Sequence, residues 1–150
     1  MSLEENKVIV RRFVEEVQSQ HNLDVASELM SPSMVDHYLE AQGLPHTEDA
    51  VEEFKKFYSG LLAAFPDLKA IIHNQVAEGD LVATYKTLHG THRGEFMGVK
   101  PTGKRVALNI MDIFRIVEGK IVEHWAVIDF MGLMWQLGAP SAPVQRKWLL

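Results

Sequence analysis

Hydrophobic positions first recur at helical spacing. Between Leu3 and about Gln20, the residues Ile9, Val10, Phe13, Val14 and Val17 fall on one face, with Arg11, Arg12, Glu15 and Glu16 between them. Ser2, with Glu5 three residues on, reads as a capping box that starts this helix. A short second helix is predicted from about Leu23 to Met30, ending at Ser31-Pro32. A short extended segment, Met34 to Tyr38, and a polar loop with Gly43 and Pro45 come next. Thr47 is the expected N-cap of a further helix, with Glu48 and Asp49 in its first turn where the helix dipole favours acids. Val51, Phe54, Phe57, Tyr58, Leu61 and Leu62 make its apolar face. It should stop before Phe65-Pro66-Asp67, because a residue preceding proline disfavours the α region.

From Leu68 onward the period changes to two. Strands are predicted at Leu68–Ala77, Leu81–His89, Lys104–Val117 and Ile121–Asp129. Glu78-Gly79-Asp80 and Glu118-Gly119-Lys120 read as hairpin turns, each with a glycine able to take positive φ. A glycine-rich loop from Gly90 to Gly103 separates the second and third strands and carries Phe96, Met97 and Val99. Phe130, Leu133, Met134 and Leu137 follow the last strand, and then a tail with Pro140 and Pro143. Helices followed by an antiparallel meander make an α+β pattern, and the lack of βαβ alternation argues against a doubly wound sheet. A curved sheet wrapped by helices would enclose one pocket.

Length and composition narrow the chemistry. A chain of 150 residues is expected to form one domain, here residues 1–138, with a C-terminal tail over 139–150. The net charge of −5 makes nucleic acid or an anionic membrane a poor electrostatic partner. The absence of cysteine removes disulfides, thiolate metal ligands and a thiol nucleophile. The start Met-Ser-Leu-Glu-Glu-Asn-Lys does not read as a signal peptide, and no apolar run is long enough to span a bilayer. A cytoplasmic location is therefore expected. The chain has seven histidines but no His-Glu-x-x-His motif and no Gly-x-Ser-x-Gly elbow, so no metal and no cofactor are expected.

One segment concentrates candidate chemistry: Ile121-Val-Glu-His-Trp-Ala-Val-Ile-Asp129. Alternation places Glu123, Trp125, Val127 and Asp129 on one face and His124 and Ile128 on the other. If the first face lines an apolar cavity, desolvation raises the Asp129 pKa and suits the carboxyl to general acid/base work. The alternative is that Asp129 ends the strand and caps the helical segment after it. The register of the preceding strand depends on the turn at Gly119. A glycine bulge would pair Arg115 with Ile121 and put Asn109, Met111, Ile113 and Arg115 on the Trp125 face. A two-residue turn would pair Val117 with Lys120 and bring Asp112 there instead. The fit of Gly119 to a left-handed position favours the bulge. His37, after an extended Met-Val-Asp, is a second candidate, either as a hydrogen-bonded structural residue or as a group that orients a substrate.

Several segments in order resemble the SnoaL-like polyketide cyclases of the nuclear transport factor 2-like superfamily. They are Val35-Asp36-His37, Ala64-Phe-Pro-Asp-Leu68, Ala77-Glu-Gly-Asp80 and His89-Gly-Thr-His92-x-Gly-Glu-Phe-Met-Gly98. Pro101-Thr-Gly103, Phe114-Arg115, Gly119-Lys-Ile-Val-Glu-His-Trp125, Asp129 and Gln136-Leu-Gly138 complete the pattern, which covers about residues 3–138. The resemblance implies a cone-shaped α+β barrel, with about three helices on a strongly curved mixed sheet around a ligand cavity. It also implies a homodimer or higher homo-oligomer joined through the sheet. Such cyclases close a ring of an aromatic polyketide ester by intramolecular aldol condensation, using an acid/base aspartate without metal or cofactor. Asp129 matches that aspartate. An assisting histidine also belongs to the family pattern, but the strand Asn109–Arg115 contains none.

Catalytic roles are thus expected for Asp129 and His37, acting on a small hydrophobic carbonyl compound. Trp125, Asn109 and Met111 should line the pocket, and His92 and Phe96 of the glycine-rich flap should contact the substrate. Two other readings stay open. One is an isomerase or hydratase-like enzyme on the same scaffold, and the other is a non-catalytic small-ligand-binding or dimerisation module. The apolar end of the tail, Trp148-Leu149-Leu150, is expected to pack on its own subunit or on a neighbour.

Overall fold

The computed structural model describes residues 1–44 and 48–138. Helix α1 (Leu3–Arg12) starts at the expected capping box. Ser2 Oγ accepts from the Glu5 amide at 3.1 Å, and a Glu5 carboxylate oxygen accepts from the Ser2 amide at 2.6 Å. The chain does not stay α-helical to Gln20. Phe13–Ser19 is π-helical, a form that recurs at functional sites, and it buries Phe13, Val14, Val17 and Gln18. Helix α2 (Val25–Leu29) is shorter than predicted and runs directly into β1 (Met30–Asp36). A single turn, α3 (His37–Ala41), and the long α4 (Ala50–Ala64) follow. Asp49 caps α4 by accepting from the amides of Val51 and Glu52; the expected cap, Thr47, lies outside the described residues.

Strands β2 (Lys69–Glu78), β3 (Leu81–Thr91), β4 (Arg105–Val117) and β5 (Lys120–Ile128) form the expected antiparallel meander. The sheet order is β1-β5-β4-β3-β2, and β1 pairs in parallel with β5, so the sheet is mixed. The sheet is open, with β1 and β2 as its edges, in the mixed α+β architecture that the resemblance implied. The last element, α5 (Phe130–Gln136), folds back against β4 through Gln136, whose amide group exchanges two hydrogen bonds of 2.8 Å with the Ala107 backbone. The expected packing of the tail falls on residues 139–150, outside the described residues.

The hairpin at Gly119 takes the two-residue turn, which corrects the favoured pairing of Arg115 with Ile121. Glu118 and Gly119 both take positive φ (48° and 77°), and Val117 pairs with Lys120 across a two-residue turn. A bulge then follows: Ile116 pairs with Ile121 and Arg115 with Glu123, leaving Val122 as the extra residue. The net result is the predicted face sharing. Ile113 lies opposite Trp125, and Met111 opposite Val127.

Which face turns inward follows from hydrophobicity. Strand β4 offers Val106, Leu108, Ile110, Phe114 and Ile116 on one side, and all five are buried. Each such burial is worth about 1.5–3 kcal/mol. Together they outweigh the several kcal/mol per ion that burial of a charge costs, so Asp112 goes in with its neighbours. Helix α1, the π-helical segment and α4 cover this inner face, with Val10, Phe13 and Val14 packing near Phe114, and Tyr58 and Leu61 near Leu88 and Leu108. The other face keeps Met111, Ile113 and Val127 at 61%, 39% and 76% exposure.

Candidate active site

A cavity lies between the inner face of the sheet and the helices. Phe13, Met34, Phe54, Tyr58, Leu108 and Ile128 are among its mostly apolar lining residues. Across its sheet wall runs one row of ionisable side chains. Strand register builds the row: Asp36 of β1 lies directly opposite His124 of β5, and Asp112 of β4 and Lys86 of β3 follow diagonally on the same face, each two residues from the position directly opposite its neighbour. Lys86 Nζ is 2.8 Å from Asp112 Oδ2, and the two side chains are 1% and 2% exposed. His124 Nε2 is 3.5 Å from the same Asp112 oxygen, and its Nδ1 is 3.4 Å from Asp36 Oδ2. The imidazole stacks on Phe114 at 4.7 Å, and Lys86 Nζ lies 5.4 Å from the centre of the same ring.

The electrostatics of this row follow from burial and pairing. Desolvation alone would raise the Asp112 pKa, but Lys86 and His124 outweigh it and hold the carboxyl below its ordinary range. Desolvation would lower His124, but the flanking carboxylates of Asp112 and Asp36 outweigh it and raise its pKa. Pairing in the row thus favours the imidazolium form of His124 and the carboxylate form of Asp112. Asp112 Oδ1 is buried and has no hydrogen-bond partner among the described residues. Gln18, on the π-helical segment, is a second lining residue of this kind: its Oε1 is buried with no hydrogen-bond partner among the described residues, while its backbone carbonyl accepts from the Tyr58 hydroxyl at 2.6 Å.

The residues singled out in the sequence lie elsewhere. Asp129 is exposed and is the N-cap of α5, with Oδ1 accepting from the Gly132 amide at 2.8 Å. It is not among the residues lining the cavity, which corrects the expected placement on a cavity wall. The reason is local: Asp129 directly precedes α5, whose first amides need an acceptor. Trp125, Asn109 and Met111 share a face as predicted, but it is the outer one, so the expectation that they line the pocket is corrected too. Trp125 stacks on His37 at 4.6 Å with ring planes 12° apart, and the Arg115 guanidinium lies 5.7 Å from its centre. His37 sits between two carboxylates, Glu123 at 3.1 Å and Glu40 at 3.3 Å, outside the cavity lining. Hydrogen bonds from Arg115 and His37 hold Glu123 below its ordinary pKa. Asn109 Oδ1 accepts from Thr87 Oγ1 at 2.8 Å.

The flap residues are structural neighbours of the cavity. His92 is fully buried; its Nδ1 accepts from the Thr102 amide at 3.2 Å, and its ring packs 5.4 Å from Phe65. Phe96 packs on Phe65 at 5.3 Å and on Phe130 at 6.4 Å, so it backs a residue that lines the cavity without lining it itself. The inner row was missed by the sequence reading, although a signal existed. Lys86 and Asp112 each interrupt an alternating row of otherwise apolar or small residues.

Among the described residues, no group of three or more His, Cys, Asp or Glu is arranged to hold a metal ion, and no helix is long and apolar enough to cross a membrane. The arrangement can hold an apolar molecule beside the buried Lys86–Asp112 pair.

Comparison with known proteins bears on what that molecule is. The family model for SnoaL-like polyketide cyclase matches residues 8–137. The aklanonic acid methyl ester cyclase DnrD of Streptomyces peucetius is 31% identical over 145 residues, covering 93% of this chain and 94% of the relative. The nogalonic acid methyl ester cyclase of Streptomyces nogalater is 31% identical over 113 residues, covering 74% of this chain and 84% of the relative. Among solved structures, AclR of Streptomyces galilaeus, a candidate hydroxylase, superposes with a TM-score of 0.79 at 36% identity, covering 95% of this chain and 87% of that one. IdmH of Streptomyces antibioticus gives a TM-score of 0.78 at 33% identity, covering 89% and 99%. With the fold and a match over nearly the whole chain in agreement, this protein belongs to the SnoaL-like polyketide cyclase family.

Proposed function

We propose that the protein is a cofactor-free acid/base enzyme that closes a ring, by intramolecular aldol addition, in a small hydrophobic ester carrying activated carbonyl groups. Asp112 is the acid/base group in this reading. The observation that carries it is the buried Asp112 carboxylate on the cavity wall, ionised by Lys86 and His124 and with Oδ1 free of any partner among the described residues. Oδ1 takes a proton from the carbon between two carbonyls, and the C–H electron pair becomes the enolate. The enolate carbon attacks a second carbonyl, forming the C–C bond. The new alkoxide then takes the proton back from Oδ1. One proton moves out and returns, so the cycle needs no further reactant.

The depressed pKa of Asp112 constrains the substrate. A weakly basic carboxylate abstracts only a proton that is already acidic, and flanking carbonyls supply that acidity. His124 has a carboxylate beside each ring nitrogen, so its role is to position and charge-balance Asp112 rather than to transfer the proton. The apolar wall folds the chain so that the two reacting carbons meet. The similarity to methyl ester cyclases supports an ester of this type as substrate. Asp129, which the family resemblance pointed to, is in this reading the cap that holds α5 at the end of the cavity.

The open outer face supports self-association. Met111, Ile113 and Val127 form an exposed apolar strip beside Trp125 on a sheet face that no helix among the described residues covers, and a second copy of the chain meeting it by a two-fold axis would bury it.

The test is turnover of an aromatic polyketide methyl ester by the wild type and by Asp112→Asn, with product mass measured. A cyclised product of unchanged mass, lost in the variant, is expected. A product heavier by one oxygen atom, or full activity in Asp112→Asn, overturns the reading.

A further inference from the structure

We infer that Lys86 is an oxyanion-binding residue, whose ammonium takes up the enolate oxygen of the substrate as Asp112 becomes protonated. The inference rests on the proposed carbon-acid chemistry and deepens it, because it names the state that the cavity binds best: the enolate of a β-dicarbonyl compound.

Geometry carries the argument. The ionisable side chains on the cavity wall are Asp36, Glu40, Glu53, Lys86, Asp112 and His124, with Tyr38 and Tyr58 as the phenols. Among the described residues, Lys86 is the one lysine or arginine of that wall. An ammonium offers three donors. Nζ is ion-paired with Asp112 Oδ2 at 2.8 Å, and the Phe114 ring centre lies 5.4 Å from Nζ. No other hydrogen bond of Nζ is made within the described residues, so donor capacity remains on a side chain that is 1% exposed and borders the cavity.

Charge conservation supplies the second half. Before proton transfer the negative charge beside Lys86 is on Asp112. After it, Asp112 is neutral and the charge is on the substrate oxygen. Lys86 can follow the charge from one oxygen to the other with the total charge of the cavity unchanged. An apolar surrounding strengthens this interaction relative to water. His124 cannot replace it, because both of its ring nitrogens face carboxylates.

The experiment uses benzoylacetone, a β-diketone whose enolate is read by near-ultraviolet absorption, and the full chain carrying Asp112→Asn. That variant imitates the protonated carboxyl while keeping Lys86. The apparent pKa of the bound diketone should fall below its value in buffer by a unit or more, roughly a tenfold preference for the enolate. The companion Lys86→Met/Asp112→Asn removes both charges of the pair and so leaves no buried charge uncompensated; it should bind the diketone with that shift lost. Cooperative melting of both variants confirms that they are folded. An equal shift in the two variants, or no shift in Asp112→Asn, overturns the role of Lys86. Loss of catalysis in Asp112→Asn is read separately, so the acid/base reading and the oxyanion reading can fail independently.

Discussion

Lys86 and Asp112 form an ion pair 2.8 Å long with both side chains at most 2% exposed, and the pair stands in the wall of a cavity. A buried pair of this kind is a poor device for stability, because desolvation of the two ions offsets much of their attraction. Its position beside an apolar cavity gives it a chemical use. Removing one partner strands the other. Lys86→Met should therefore destabilise the fold by about 3–5 kcal/mol, while Lys86→Met/Asp112→Leu should recover most of that loss. Urea denaturation of the two variants against wild type checks this.

Stability should also depend on pH through His124. Its folded-state pKa lies above the ordinary 6.5, so its contribution is complete below 6.5 and is lost as pH rises through the raised value. Asp112 works in the opposite direction. Its folded-state pKa lies below 3.8, so its contribution is present above 3.8 and is lost as pH falls through the depressed value. His124→Gln should remove the loss on the alkaline side and leave a loss on the acid side, where Lys86 still holds Asp112 ionised. Thermal melts across pH of wild type and variant give the comparison.

Gln18 trades stability for recognition in this account. Its side-chain oxygen is buried with no hydrogen-bond partner among the described residues, on a residue that lines the cavity. Gln18→Leu should stabilise the free protein by about 1 kcal/mol, since it removes a desolvated polar group. The same change should raise KM several-fold and leave kcat nearly unchanged, because the group contacts substrate away from the reacting atoms. Steady-state kinetics and a melting curve test the two halves.

The exposed strip on the outer sheet face predicts an oligomer. Val127→Lys places a charge at a position that is 76% exposed in the single chain, so it should leave the fold intact and split a dimer into monomers. Sedimentation of wild type and variant decides it; a wild-type monomer would contradict the proposed self-association.

How much of this could be read in the sequence differs between the fold and the site. The strands, the capping box and the helix ending before Phe65-Pro66 follow from local rules, because a period of two, a Ser-x-x-Glu spacing and a proline each act within a few residues. Even the shared face of Met111, Ile113 and Trp125 was legible from the turn at Gly119. The inward side was not settled by that pairing. It depends on comparing whole rows, and the row Val106, Leu108, Ile110, Asp112, Phe114, Ile116 is the more apolar despite its charge. Trp125 and Asp129, the conspicuous residues of β5 and its end, stand on the other row. Lys86 and His124 join Asp112 only through the register of three strands, and Asp36 only through a parallel pairing that no local pattern announces. The π-helical segment that carries Gln18 looks, in sequence, like the continuation of an amphipathic helix.

In the proposed reaction Asp112, on the cavity wall, moves the proton. Exchange of the acidic C–H of an aromatic β-keto ester into deuterated water, followed by NMR, isolates that step from ring closure. Wild type and Asp129→Asn should catalyse exchange at rates within a few-fold of each other, and Asp112→Asn should lose about 10²–10⁴-fold. Exchange that survives in Asp112→Asn and disappears in Asp129→Asn would contradict the account.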